Sequence, residues 1–130
     1  RSKIMKDKTV KDIVATARDQ VTELSAIEFR MRCEEEFSVI IDVREPAEFE
    51  AGHIPRAVNI PRGLLEFMVD DSEGPHEGRN SSIVLYCKSG GRSALATLAL
   101  KRMGYKRIAH LEKGYDDWVI ATARHNGEFL

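Results

Sequence analysis

Cysteine is scarce. The 130 residues hold only Cys33 and Cys87, too few to read as a disulfide scaffold in a chain of this length. A reducing, cytoplasmic compartment is the matching expectation. Charge of one sign is lacking as well: 20 Lys and Arg stand against 21 Asp and Glu, and a formal net charge of −1 offers no electrostatic footprint for nucleic acid. Long apolar runs are missing too. Ser38–Ile41, with Val43 beyond, and Ile83–Tyr86 are far too short to span a bilayer, so no membrane partner is expected. The four histidines, His53, His76, His110 and His125, keep no metal-ligand spacing with either cysteine, and no metal site is expected. The opening residues do not read as a basic-then-apolar signal peptide. The chain starts on Arg1 rather than Met, which leaves open a trimmed terminus and a removed targeting segment.

What remains is ordinary globular material, 42% apolar and 32% charged, enough for one compact domain with a real core. Val10, Ile13, Val14, Ala17 and Val21 fall on one face of a helix over Thr9–Gln20, and Thr9 with Asp12 forms a capping-box pattern. Ser25 with Glu28 repeats that pattern for a helix over Ser25–Glu35. In it Ile27 with Met31 and Phe29 with Cys33 make i,i+4 pairs, and Cys33 reads as a half-buried packing residue. Buried strands are predicted at Ser38–Val43 and Ser82–Tyr86, and shorter ones at Ala57–Ile60 and Arg107–Leu111. Helices are predicted from Pro46 to Ala51, Arg62 to Val69, Ser93 to Met103 and Tyr115 to Arg124. In the Arg62–Val69 helix, Leu64, Leu65, Met68 and Val69 are the expected apolar contacts. Asp70–Ser82 is the long loop. Strands alternating with helices indicate an α/β domain with a mainly parallel sheet. There is no internal repeat.

The segment richest in chemistry is Ser82–Met103: strand, then C-K-S-G-G-R-S, then helix. It sets Cys87 where a parallel strand ends, the edge at which open α/β sheets hold ligands. Gly90 and Gly91 permit a tight curl with positive φ, which can turn successive N–H groups inward as an anion nest. The next helix adds its unpaired N–H groups and the positive end of its dipole. Lys88 and Arg92 add formal charge. All of these favour a thiolate over a thiol at Cys87, and the same donors suit an anionic substrate or the outer sulfur of a persulfide. This chemistry needs no metal and no organic cofactor. A strand-end cysteine alone is more often a small buried hydrophobe, and glycines after a strand often mark only a turn. Their combination with an arginine and an immediate helix reverses that balance.

The loop resembles the active-site loop of rhodanese domains. I-I-D-V-R-E-P-A-E-F-E-A-G-H-I-P-R-A-V-N-I-P, from Ile40 to Pro61, is similar to the family's upstream signature, and K-G-Y-D-D-W, from Lys113 to Trp118, to its C-terminal G-x-x-x-W element. The three lie in the expected order and cover about Val21–Ile120. The resemblance implies a three-layer α/β/α domain with a mainly parallel five-stranded sheet, over residues 21–130, preceded by a helical extension over residues 1–20. It implies Cys87 as the sulfur-carrying nucleophile, with Arg92 assisting the incoming anion. The loop residues Lys88, Ser89, Gly90, Gly91 and Ser93 would form the substrate cradle. Asp42 and Arg44 are supporting framework, able to form a polar network with Glu48. A direct catalytic role for His53 is not expected, and Trp118 reads as core. Arg56 stands where a small residue is common, and Lys113 where the first of a glycine pair is frequent.

Three functions fit this pattern unequally. The first is a ping-pong sulfurtransferase. It takes sulfur from a small anionic donor such as thiosulfate, or from a persulfide, and passes it to cyanide, a small thiol or a protein thiol. The second is a non-catalytic rhodanese-like binding module; keeping both Cys87 and Arg92 argues against it. The third is a cysteine phosphatase of related fold. Only four residues separate Cys87 from Arg92, against the five needed to encircle phosphate, and Tyr86 stands where those enzymes usually carry histidine. A monomer or weak homodimer is expected.

Overall fold

A computed structural model describes residues 9–70 and 78–126, with only the backbone described for residues 33–35. The packing expected of Cys33, His76, the first eight residues of the extension and the middle of the Asp70–Ser82 loop lie outside the described residues.

Helix α1 (Val10–Gln20) leads into strand β1 (Glu23–Leu24) and helix α2 (Ala26–Glu36). Both helices begin with the anticipated capping boxes, Thr9 with Asp12 and Ser25 with Glu28, each supplying acceptors to N–H groups that a helix start leaves unpaired. Strand β2 (Val39–Asp42), helix α3 (Pro46–Ala51), strand β3 (Val58–Asn59), a 3₁₀ turn (Arg62–Leu64) and helix α4 (Leu65–Val69) follow. Strand β4 (Ile83–Tyr86), helix α5 (Gly91–Arg102), strand β5 (Ile108–Leu111) and helix α6 (Gly114–His125) complete the order.

The five strands form one sheet in the order β1-β5-β4-β2-β3, and every pairing is parallel. Residues Val39 to Asp42 pair in register with Ile83 to Tyr86 at its centre. Alternation along the strands divides the core in two. Val39, Ile41, Val43, Ile83, Leu85 and Cys87 face Leu65 and Val69 of α4 and Ala96 and Leu100 of α5. Leu24, Ile40, Val84, Tyr86, Ala109 and Leu111 face Phe29 of α2, with Tyr115 and Trp118 of α6 packed against them. Helices on both faces of a parallel sheet give the expected three layers. Outside them α1 lies on α5 through Ala17, Ala94 and Leu98.

Several details depart from the expectations. Strand β1 was not anticipated: two residues carry no alternation to detect. Helix α5 starts at Gly91, two residues before Ser93, and the 62–69 helix opens as a 3₁₀ turn. Only Ala17 of the α1 apolar face is fully buried, whereas Val10 is 71% exposed. The Ile27 and Met31 pair points outward, as do Leu64 and Met68, leaving Leu65 and Val69 to make the core contacts of α4. Trp118 is half-buried at the edge of its cluster.

Candidate active site

Cys87 follows directly on β4, where the sheet order reverses. From β2 the chain moves outward to β3, and from β4 it moves the other way to β5. Such a switch point opens a crevice at the carboxyl ends of the strands. The side chain is 1% exposed, and its sulfur receives N–H donation from Gly90 at 3.1 Å and from Ser93 at 3.3 Å. Ser93 Oγ lies 3.5 Å from Sγ. Three groups from one turn and the first turn of α5 therefore converge on one sulfur.

The turn depends on two glycines. Gly90 has φ +108°, and a Cβ there would sit 2.1 Å from the Glu112 carbonyl oxygen. Gly114 has φ +68°, and its Cβ would meet the carbonyl oxygens of Cys87 and Lys88 at 2.5 Å. Gly91, expected to share the positive φ, does not: it is the first residue of α5 and its Cβ would have room. Backbone bonds from Tyr115 and Asp116 to the carbonyls of Cys87 and Lys88 pin the loop to the start of α6.

Compared with known families, residues 25–121 match the rhodanese-like domain model. The chain belongs to the rhodanese-like family. Among curated relatives, a Bacillus subtilis protein named as a sulfur carrier is 33% identical over 103 residues, covering 78% of this chain and 53% of that protein. A sulfurtransferase of Allochromatium vinosum is 38% identical over 87 residues, 67% of this chain and 73% of the relative. The chain thus spans about half the length of the first and about three quarters of the second. A solved structure from Rhodopseudomonas palustris, of unknown function and described as a candidate tyrosine phosphatase, superimposes with TM-score 0.75 at 31% identity. That match covers 88% of this chain and 92% of the other.

Within this rhodanese-like domain the other expected site residues occupy distinct positions. Arg92 makes a two-pronged ion pair with Glu48 of α3, at 2.9 and 3.1 Å. The guanidinium holds the Glu48 carboxyl down at about 2, and Glu48, with a weaker contribution from Cys87, raises Arg92 in return. Lys88 is exposed and reaches Asp116 at 3.1 Å, so its charge is met by a carboxylate on α6. Ser89 is exposed too, and its carbonyl accepts from Arg18 of α1 at 3.5 Å.

Asp42 and Arg44 form the buried pair beneath the site. Arg44 Nε lies 3.0 Å from both Asp42 oxygens, Nη2 is 2.7 Å from Oδ2, and Nη2 also donates to the Gly52 carbonyl at 2.7 Å. The guanidinium lies 4.4 Å from the centre of the Tyr115 ring. Glu48 makes its direct ion pair with Arg92 and is coupled to the Arg44 charge through space rather than by a hydrogen bond. His53 stacks on Phe49, its Nδ1 2.8 Å from the Phe49 carbonyl, a framework position. Arg56 adopts φ +74°, the left-handed geometry that glycine, having no Cβ, fills more easily.

Two side chains that the sequence did not assign to the site, His110 and Glu23, reach it through Ser93. Ser93 Oγ lies 2.8 Å from His110 Nδ1, and His110 Nε2 lies 3.0 Å from Glu23 Oε2. Among the described residues no cluster of His, Cys, Asp and Glu is arranged to hold a metal, and no helix is long and apolar enough to cross a membrane.

Proposed function

We propose that this domain is a sulfurtransferase that carries sulfane sulfur as a persulfide on Cys87. The observation that carries the reading is the pair of backbone N–H groups, Gly90 and Ser93, aimed at one buried sulfur at the end of β4. The names of the relatives, a sulfur carrier and a sulfurtransferase, point the same way.

The cycle is a double displacement. The Cys87 thiolate attacks the outer sulfur of thiosulfate or of a persulfide donor. A sulfur–sulfur bond forms, the donor's own sulfur–sulfur bond breaks, and sulfite or the spent thiolate leaves with the electron pair. Cyanide, a small thiol or a protein thiol then attacks the outer sulfur and returns Cys87 as thiolate. The loop N–H groups stabilise negative charge in both halves without reorganising. Arg92, extended from the first turn of α5 and 40% exposed, attracts the anionic donor while Glu48 fixes its direction. Lys88, Ser89, Gly90 and Gly91 supply the backbone wall of the cradle. No metal or organic cofactor takes part, and the compartment is cytoplasmic.

A phosphatase is the second reading, favoured by the description of the Rhodopseudomonas palustris structure. Loop length weighs against it: four residues between Cys87 and Arg92 make a ring suited to one sulfur rather than to a tetrahedral phosphate. Steady-state kinetics with thiosulfate and cyanide separate the readings. Sulfur transfer gives parallel double-reciprocal lines, abolished in Cys87→Ser. Phosphate release from an aryl phosphate, with no thiocyanate formed from any sulfur donor, would overturn the proposal.

A further inference from the structure

Alternation along β1 and β5 turns Leu24, Ala109 and Leu111 into one core and leaves Glu23 and His110 on the opposite face, toward α5. They are register partners in adjacent strands. An apolar pair would fill that position at no electrostatic cost, whereas a buried imidazole must be fully hydrogen-bonded to be tolerated. His110 is completely buried and fully satisfied: Nε2 meets Glu23 Oε2 at 3.0 Å and Nδ1 meets Ser93 Oγ at 2.8 Å. Ser93 Oγ in turn lies 3.5 Å from Cys87 Sγ. Arg18 of α1 closes the far end, 2.5 Å from the same Glu23 oxygen. The result is an unbroken chain from the sulfur through a hydroxyl and an imidazole to a carboxylate.

We infer that Ser93, His110 and Glu23 form a relay that accepts the Cys87 proton when the thiolate forms. The inference rests on Cys87 being the nucleophile. Glu23 is a carboxylate and only accepts, so a neutral His110 turns Nε2–H toward it and presents the Nδ1 lone pair to Ser93. The Ser93 proton has two acceptors within reach, Nδ1 at 2.8 Å and the Gly90 carbonyl at 3.3 Å, and the shorter contact takes it. The Ser93 oxygen then faces the thiol. On ionisation the S–H bond breaks, Ser93 takes that proton and passes its own to Nδ1, and one N–H bond forms. The imidazolium is held between the thiolate and Glu23. One proton has moved from sulfur to nitrogen, and no oxidant or reductant is needed.

The charged groups facing His110 are Glu23 from β1, Arg18 from α1 and the Cys87 sulfur from β4. Burial pushes the imidazole down from its ordinary value, Glu23 raises it and Arg18 opposes Glu23. Burial thus keeps the ring neutral while the thiol is protonated and by itself disfavours the imidazolium. The transferred proton is held by the Glu23 carboxylate on one side and the new thiolate on the other. Glu23 and His110 act through Ser93 and are positioning residues.

The test follows the thiolate by its ultraviolet absorbance against pH, as the difference from Cys87→Ser in each background. It needs no sulfur donor, so it stands or falls separately from sulfur transfer. His110→Asn keeps a hydrogen-bonding group near Ser93 but cannot take a proton. Its thiolate is expected to develop about one pH unit higher, roughly a tenfold loss of thiolate at a given pH below the midpoint. Glu23→Gln, an isosteric change at a side chain 24% exposed, supplies the second arm with opposed signs. Removing a nearby negative charge by itself favours the thiolate and moves its appearance to lower pH. The relay requires the opposite, a shift to higher pH, because the imidazolium loses its counter-charge. In Ser93→Ala, Glu23→Gln should cause no such upward shift. A folded His110→Asn that titrates like wild type, or a Glu23→Gln thiolate appearing at the same or lower pH, would overturn the inference.

Discussion

At the scale of single residues, the site stands on two ion pairs of opposite character. Asp42 is wholly buried, Arg44 is 4% exposed, and their two-pronged contact lies in the interior beside the Tyr86 ring. Asp42→Ala leaves the guanidinium buried without its partner and should cost about 3–5 kcal/mol in urea unfolding. Arg92 and Glu48 are half exposed, so screening keeps their contribution small and salt-sensitive. Its sign is still readable. The folded Glu48 carboxyl titrates at about 2, below its ordinary 4.5. The stabilisation is therefore complete above the unfolded value and is lost as pH falls from 4.5 towards 2. Urea midpoints across that window should fall less steeply in Glu48→Gln than in wild type, and identical slopes would remove the pair from the account. Cys87 and Arg92 were legible because their signal is local, a strand end, two glycines and a helix start within a few residues. The link from Cys87 through Ser93 to His110 and Glu23 was not. Ser93 and His110 are 17 residues apart and meet through the packing of α5 on β5, whereas His110 and Glu23 are 87 apart and meet through strand pairing.

At the scale of elements, the helix starts that carry a side-chain cap were readable. Thr9 with Asp12 and Ser25 with Glu28 are acceptors at fixed offsets from the N–H groups they satisfy, and both capping boxes form. The start of α5 was misplaced because its first residue is glycine and Gly90 provides no side-chain cap. The helix is launched by the left-handed turn at Gly90 and by bonds from Gly90 and Ser93 to the sulfur, which propensity does not reveal. Strand β1 escaped for a different reason: its pairing with β5 is a tertiary fact, carried by two residues. The join between the loop and α6 gives an element-scale prediction. Gly114→Ala forces a Cβ to within 2.5 Å of two loop carbonyls at φ +68°. It should destabilise the domain by about 1–3 kcal/mol from backbone strain alone. Sulfur transfer should fall more than stability does, since the displaced carbonyls belong to Cys87 and Lys88. A Gly114→Ala variant as stable and active as wild type would mean that the close approach is dispensable.

At the scale of the whole molecule, the parallel sheet order β1-β5-β4-β2-β3 brings the chemistry together. Strand β4 ends at the sulfur, β2 ends at the buried Asp42 with Arg44 just beyond it, and α3 supplies the carboxylate that pairs with Arg92. Helix α1 is tied into the same arrangement: Arg18 reaches Glu23, the Glu112 carbonyl at 3.0 Å and the Ser89 carbonyl of the loop. That wrap could not be read from the amphipathic pattern of α1, which tells that a face is buried and not against what. The central claim is that Cys87 holds the transferred sulfur, and the most direct test is the intact mass of the reduced protein after incubation with thiosulfate or a persulfide donor. The account predicts a gain of one sulfur, about 32 Da, lost on adding cyanide or a thiol and absent in Cys87→Ser. An unchanged mass with every donor, or a gain that persists in Cys87→Ser, would contradict it.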